Sequence, residues 1–321
     1  MDNLYSTLIH QTFNFPQEDF EVIDNELYFN KIPLMQIIKQ YGTPLRITYL
    51  PKISDQIQKA RRLFHVAMAK TDYKGQYHYC YCTKSSHFSF VLDEVLKNKA
   101  HLETSSAFDI PIIKELYRKN KLSKDTYIIC NGYKRPAYKQ NIMELVNEGF
   151  NCIPVLDHLD EIDYYKKHLK TDALSVGIRI STEEEPSFAF YTSRLGVRNS
   201  EIIRLYQEKI SGDARIKLKL LHFFINTGIK DTIYYWTELN KCLNIYKELK
   251  SEFGIEAHFY LNKLSFLSSE DFSGLSPDAR DSLQLMVQNE NQARIKIQHA
   301  GIRFEELPLV GRQDADELIK E

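Results

Sequence analysis

A lysine placed where a strand runs into a helix is the residue of this chain best suited to covalent chemistry. Lys84 follows the run Tyr77-His-Tyr-Cys-Tyr-Cys82 and precedes Ser85, Ser86 and an amphipathic stretch. At the mouth of an α/β barrel such an amine would sit among apolar side chains, which disfavours its charged form and frees it for Schiff-base chemistry with a carbonyl. Position alone favours instead a lysine whose stem lies along the strand and whose head reaches water. The other reactive side chains are scattered. The five cysteines are Cys80, Cys82, Cys130, Cys152 and Cys242, and four of them lie in apolar strand-like runs. An odd count so placed reads as reduced buried thiols, not a disulfide framework. His222 stands alone in an apolar run, where a satisfied core group is commoner than a catalyst. No metal site is expected.

The elements that must position Lys84 repeat. Strand-like runs fall at Tyr77–Cys82, His101–Thr104, Tyr127–Asn131, Cys152–Asp157, Leu174–Ile180 and Lys217–Ile225. Several are almost continuously apolar, as parallel strands covered on both faces must be. Helical stretches alternate with them. Pro51–Lys70 sets Ile53, Ile57, Ala60, Leu63, Phe64 and Ala67 on one stripe. Phe88–Leu96, Ile110–Tyr117, Ile142–Glu148 and Ile233–Leu249 read the same way. Such a βα repeat closes into a TIM-type barrel or opens into a doubly wound sheet. The open sheet would want a glycine-rich first turn, and no G-x-G-x-x-G occurs. The expectation is therefore α/β, a TIM-type (β/α) barrel. Ahead of it, Phe20–Phe29 reads as strand, Asp24-Asn25 turn and strand, a small hairpin.

Bulk properties exclude several classes. The chain has 321 residues, with 42 basic and 43 acidic side chains, so broad electrostatic capture of nucleic acid or anionic membrane is not expected. The first residues lack the basic-then-apolar order of a signal peptide. No apolar stretch approaches the ~20 residues that span a bilayer. A cytoplasmic protein is the expectation.

An ordered set of motifs narrows the reading. It comprises Tyr41-Gly-Thr-Pro-Leu45, Cys82-Thr-Lys-Ser-Ser86, Leu102-Glu-Thr-Ser-Ser-Ala107, Ile129-Cys-Asn-Gly-Tyr-Lys134, Gly177-Ile-Arg-Ile180, Ser193-Arg-Leu-Gly196 and Leu221-His-Phe-Phe-Ile-Asn-Thr227. Together, from about residue 19 to 254, they resemble the fold-type III pyridoxal 5′-phosphate (PLP) decarboxylases, and within them the biosynthetic arginine decarboxylases. The resemblance implies a barrel of the alanine racemase and group IV decarboxylase kind. It also implies PLP as cofactor, a basic amino acid (arginine) as substrate, agmatine as a polyamine and spermidine precursor, and a homodimer. Lys84 then matches the lysine that carries the cofactor. Glu103 matches an acidic residue beside it, and Arg179 the arginine that orders the acidic network under the cofactor ring. Asp109 matches a second acidic position. Glu103 and Arg179 also fit ordinary buried ion pairs, and Asp109 fits a helix N-terminus.

Two departures from the family pattern stand out. Where the family has His-x-Gly-Ser after the sixth strand, with a stacking histidine and a phosphate-binding serine, this chain has Phe224, Asn226 and Thr227. Phe224 can stack but not titrate, and Thr227 keeps a hydroxyl for phosphate. The family's Gly-Gly-Gly phosphate loop and its C-terminal β-domain are not visible. Only Glu256–Asn262 offers a further strand. The expected organisation is therefore 1–44 with a hairpin left from a truncated β-domain, 45–255 as a partial PLP-binding barrel, and 256–321 as an unrecognised, partly helical tail. The barrel wall is expected to be open or patched beyond the sixth strand. A non-catalytic PLP-binding barrel and an inactive truncated decarboxylase homologue are the competing functions.

Overall fold

Alternating apolar strands and amphipathic helices build the parallel sheet that the periodicity predicts. The computed structural model describes residues 19–158, 160–181, 195–224 and 232–261. Two compact units divide between Tyr49 and Leu50.

In the first unit, β1 (Phe20–Ile23), β2 (Glu26–Phe29) and β3 (Ile32–Pro33) form an antiparallel three-stranded sheet. Both of its turns need left-handed residues. Asp24 and Asn25 have φ of 50° and 65°, and Asn30 and Lys31 have 49° and 64°. Consecutive positive φ values suit the right-handed twist of a hairpin, which is why Asp-Asn sits in the first turn. The third strand and the helix α1 (Leu34–Tyr41) extend the hairpin beyond what the sequence pattern shows.

The second unit opens with helix α2, Pro51–Lys70, at the bounds its stripe predicts. Proline at its start costs nothing, since that N–H has no helical partner. Ile57, Ala60 and Ala67 are buried, and Phe64 stacks on Tyr77 at 4.1 Å. The strands follow: β4 (Cys80–Cys82), β5 (His101–Thr104), β6 (Ile128–Cys130), β7 (Cys152–Leu156), β8 (Leu174–Ser181), β9 (Val197–Arg198), β10 (Ile216–Phe223) and β11 (His258–Leu261). They make one eight-stranded sheet in the order β11-β10-β8-β7-β6-β5-β4, with β9 pairing β8. Every ladder in it is parallel. The helices between strands are α3 (Ser89–Lys97), α4 (Asp109–Arg118), α5 (Pro136–Asn147), α6 (Glu161–His168), α7 (Asn199–Leu205) with a π-helical turn at Tyr206–Ile210, and α8 (Thr232–Phe253).

Two apolar clusters show how the sheet curves. The larger one lies between sheet and helices, with Leu102, Ile128, Cys130, Cys152 and Leu156 of the strands against Val91, Ile110, Ile142 and Ile162 of the helices. The smaller one, Ile129, Ile153, Val155 and Leu220, with Cys80 and Tyr127 against it, occupies the opposite face. At the starts of the strands, His78 contacts His258 with ring centroids 5.6 Å apart. The first and last strands of the path therefore approach one another across that inner face. Among the described residues no ladder closes the path. Within the segment expected to offer a further strand, His258–Leu261 forms β11 beside β10, with His222 in register with Tyr260. The rest of the tail, residues 262–321, lies outside the described residues.

Two expectations need correction. The strand expected from Tyr77 starts only at Cys80. Ahead of it, Tyr77 is engaged with α2, while the backbone of Tyr79 accepts a bond from His101 N–H at 2.8 Å. All five cysteines are free, but Cys80 and Cys82 are half-buried instead of buried, because they face the inside of the sheet and not the helix layer.

Candidate functional site

Alternate residues of a strand share a face, and in a parallel ladder residues in register point the same way. Cys82 is in register with Glu103, Glu103 with Ile129, and Ile129 with Ile153. Farther along, Val155 is in register with Gly177, Gly177 with Leu220, and Arg179 with His222. These residues line the inner face. Two residues beyond the last inner apolar positions come Lys84, Asn131, Asp157 and Phe224. All lie at the C-terminal strand ends, the end where barrels carry their chemistry.

Glu103 anchors one half of the site. It is 1 % exposed, and a buried carboxylate is tolerable only with partners. Lys84 Nζ stands 4.0 Å from its Oε1, and Asn131 Nδ2 donates to the same oxygen at 3.2 Å. The Lys84 side chain is 49 % exposed, so the amine is open to a small molecule and is not enclosed in an apolar mouth. Burial, then the neighbouring Glu103, pushes the thiols of Cys80 and Cys82 up to about 12. At neutral pH these thiols are protonated and poor nucleophiles, which leaves the amine as the group to react there.

Phe224 joins the two halves. Its ring centroid is 6.0 Å from Lys84 Nζ and 5.1 Å from Arg179 Cζ, both within cation–π reach. His222, fully buried one strand repeat deeper, faces the same side, with its ring 6.4 Å from that of Phe224 and tilted 25°. Burial first, then the charges of Arg179, Lys84 and Lys134, hold the His222 imidazole well below its usual range. It is a neutral ring at pH 7.

The other half is a buried ionic chain. Arg179 stands 3.8 Å from Asp157 Oδ1, and Asp157 Oδ2 is 3.5 Å from Lys134 Nζ. Lys134 also reaches Glu161 Oε2 at 3.3 Å and donates to the carbonyls of Gly132, at 2.9 Å, and Val155. Gly132, with φ of +80°, makes the turn that sends Lys134 back under the loop, a conformation few other residues adopt readily. Burial raises the Glu161 carboxyl, and Lys134 opposes the rise.

The expected residues therefore divide. Lys84, Glu103, Arg179 and Phe224 are brought together, whereas Thr227 lies outside the described residues. Asp109 is the first residue of α4, where its Oδ2 accepts from the Ser105 and Ser106 N–H groups at 2.8 and 2.9 Å and from Ser106 Oγ at 3.1 Å. It ties down the β5–α4 loop. Asn131, Lys134, Asp157 and Glu161 were not singled out from the sequence. Counting in twos from Ile129 and from Ile153 along the inner face reaches Asn131 and Asp157, so the signal for those two was present.

The fit to PLP can be tested on this geometry. A half-exposed amine, an aromatic plate and an arginine on one face suit the aldehyde and the ring. The phosphate partner expected after β10, Thr227, lies outside the described residues. Among the described residues there is no cluster of histidine, cysteine and carboxylate that could hold a metal ion.

Solved structures that share this fold include decarboxylases. The diaminopimelate decarboxylase of M. jannaschii in complex with L-lysine matches with a TM-score of 0.64 at 17 % identity, over 85 % of this chain and 64 % of its own. The biosynthetic arginine decarboxylase of Campylobacter jejuni matches with a TM-score of 0.57 at 20 % identity, over 78 % of this chain and 42 % of its own. The chain thus has the TIM-type barrel fold of the fold-type III decarboxylases. By sequence it is similar to biosynthetic arginine decarboxylases. That of Prochlorococcus marinus is 26 % identical over 222 residues, 66 % of this chain and 34 % of that protein, and that of Trichlorobacter lovleyi is 24 % identical over 225 residues. The chain spans about a third of the length of these relatives. No protein-family profile matches it.

Proposed function

We propose that this chain binds PLP on Lys84 and performs, or derives from a protein that performs, the decarboxylation of arginine to agmatine. The observation that carries the reading is the placing of Lys84, Glu103, Phe224 and Arg179 on one face of the C-terminal strand ends, in a chain similar to biosynthetic arginine decarboxylases. PLP, when bound, supplies the electron sink for the carbon from which carbon dioxide leaves. The chain's own residues do the rest. Lys84 offers the amine, and Glu103 holds that amine by charge at the buried end of its reach. Phe224 provides a flat apolar surface for a ring, and Arg179 puts a fixed positive charge at its edge. Thr227 is assigned the phosphate. A cytoplasmic place in polyamine synthesis follows from the same reading.

The test is reductive trapping. Purified protein incubated with PLP and reduced with borohydride should carry a pyridoxyl mass on Lys84, and Lys84→Ala should lose it. A label on another lysine, or none, ends the proposal. Carbon dioxide released from labelled arginine then separates an enzyme from a PLP-binding barrel without turnover.

A further inference from the structure

We infer that Lys134 is a positioning residue of this site: a buried ammonium that ties Asp157 and Glu161 together and, through Asp157, fixes Arg179 beside the ring of Phe224. The inference rests on the PLP reading only for its consequence in cofactor binding. The tie itself is a property of the protein alone.

Three observations carry it. The first is burial without an evident stabilising purpose. The side chains of Lys134 and Asp157 are 0 % exposed, and those of Glu161 and Arg179 are 8 % and 9 % exposed. Taking such ions out of water costs several kcal/mol each, and a well-packed apolar set is often as stable or more so. Stability alone does not call for this chain of charges.

The second observation is geometry. The four charges are strung from the β6–α5 loop through α6 and the end of β7 to β8, and they end at Phe224, the ring that Lys84 also faces. Lys134 is held from below by the carbonyls of Gly132 and Val155. Its head is therefore a fixed point and not a mobile chain. Among the described residues neither Asp157 oxygen has a hydrogen-bond donor in place. Its orientation is set by the Lys134 and Arg179 charges at 3.5 and 3.8 Å.

The third observation is balance. Among the described residues, Lys84, Arg179 and Lys134 face Glu103, Asp157 and Glu161, and His222 among them is neutral. Removing Lys134 takes away the fixed point that holds Asp157, so this carboxylate can turn and Arg179 can turn with it away from Phe224.

The experiment compares the full chain with Lys134→Met, Lys134→Arg and Lys134→Met/Glu161→Gln. The double variant removes the surplus buried charge, so it serves if the single variant does not fold. The first readout needs no cofactor. Phenylglyoxal labelling of Arg179 in the apoprotein, mapped by mass spectrometry, should be slow in the wild type and Lys134→Arg and about tenfold faster in the double variant, the size of a lost buried tie. The second readout is PLP affinity. It should stay weakened in the double variant even where its thermal midpoint returns to the wild-type value, which a merely structural role would not give. Equal labelling rates in folded proteins overturn the inference, as does full recovery of PLP affinity together with stability. If the wild type traps no pyridoxyl group on Lys84, the cofactor reading fails, and the Arg179 labelling still decides the role of Lys134.

Discussion

Asp109 shows how a single side chain changes meaning once its surroundings are known. The family resemblance makes it a second acidic position. By contact it is the clamp of a loop, with one carboxylate oxygen accepting two backbone N–H groups and a hydroxyl. Removing it leaves those backbone donors, half-buried at the N-terminus of α4, without their acceptor. Such a loss costs about 1–2 kcal/mol. Asp109→Ala should therefore lower the unfolding free energy from urea titration by that amount while leaving the borohydride label on Lys84 intact. A variant as stable as the wild type but unable to bind PLP would return Asp109 to the cofactor. The site residues that the sequence exposed most readily were those with a motif around them: Lys84, Glu103, Arg179 and Phe224. Lys134 stood inside one of those motifs without a role, because its partners Asp157 and Glu161 come from β7 and α6, and only the folded register brings them beneath it.

Elements were legible where their pattern was strong. Helix α2 keeps the bounds its stripe predicts, and β5 does too, since apolar faces fix their registers. Helix α6, Glu161–His168, passed unnoticed because only Ile162 and Tyr165 of its face are apolar and buried. Its acids at the start and bases at the end favour a helix through the dipole, a weaker signal than periodicity. Strand β8 contains a glycine whose reason is visible only in the sheet. A Cβ on Gly177 would stand 2.8 Å from Leu220 Cδ2 and 3.3 Å from Val155 Cγ2, inside the smaller apolar cluster. Gly177→Ala should destabilise by about 1–3 kcal/mol through overpacking. Adding Leu220→Val should recover part of the loss by making room. A stable single variant would mean that this inner face is more loosely packed than the contacts state.

Across the whole molecule, acid should be the weak point. His101 accepts the Tyr127 N–H on Nδ1 at 3.1 Å, which leaves its proton on Nε2, 3.1 Å from His78 Nδ1. Burial, then His78 and Arg61, lower His101 to about 4, and burial also lowers His78, beside His258, and His258, beside Lys219. With folded values below those of the unfolded chain, the unfolded state takes up more protons as pH falls. Stability is therefore full above about pH 6.5 and declines towards pH 4. Urea midpoints should drop between pH 6.5 and 5, and His101→Gln should flatten that slope. A slope unchanged by the variant would remove His101 from the account. The same ring group is where the first and last strands of the path meet, so acid should loosen the sheet at that seam first.

The order of strands in this sheet is also the order in which a ribosome would make them. Reading from β4 through β5, β6, β7, β8 and β10 to β11, each long strand lies beside the one made before it. Domains form from the N-terminal side during synthesis, at rates slow against local folding. A strand emerging from the ribosome therefore finds its neighbour already present and need not wait for a distant segment. At every stage one growing edge is exposed, and Lys84, Glu103 and Asn131 are in place before Lys134 can reach Asp157. The half of the site that offers the amine is thus assembled early, and the half that steadies Arg179 is added behind it.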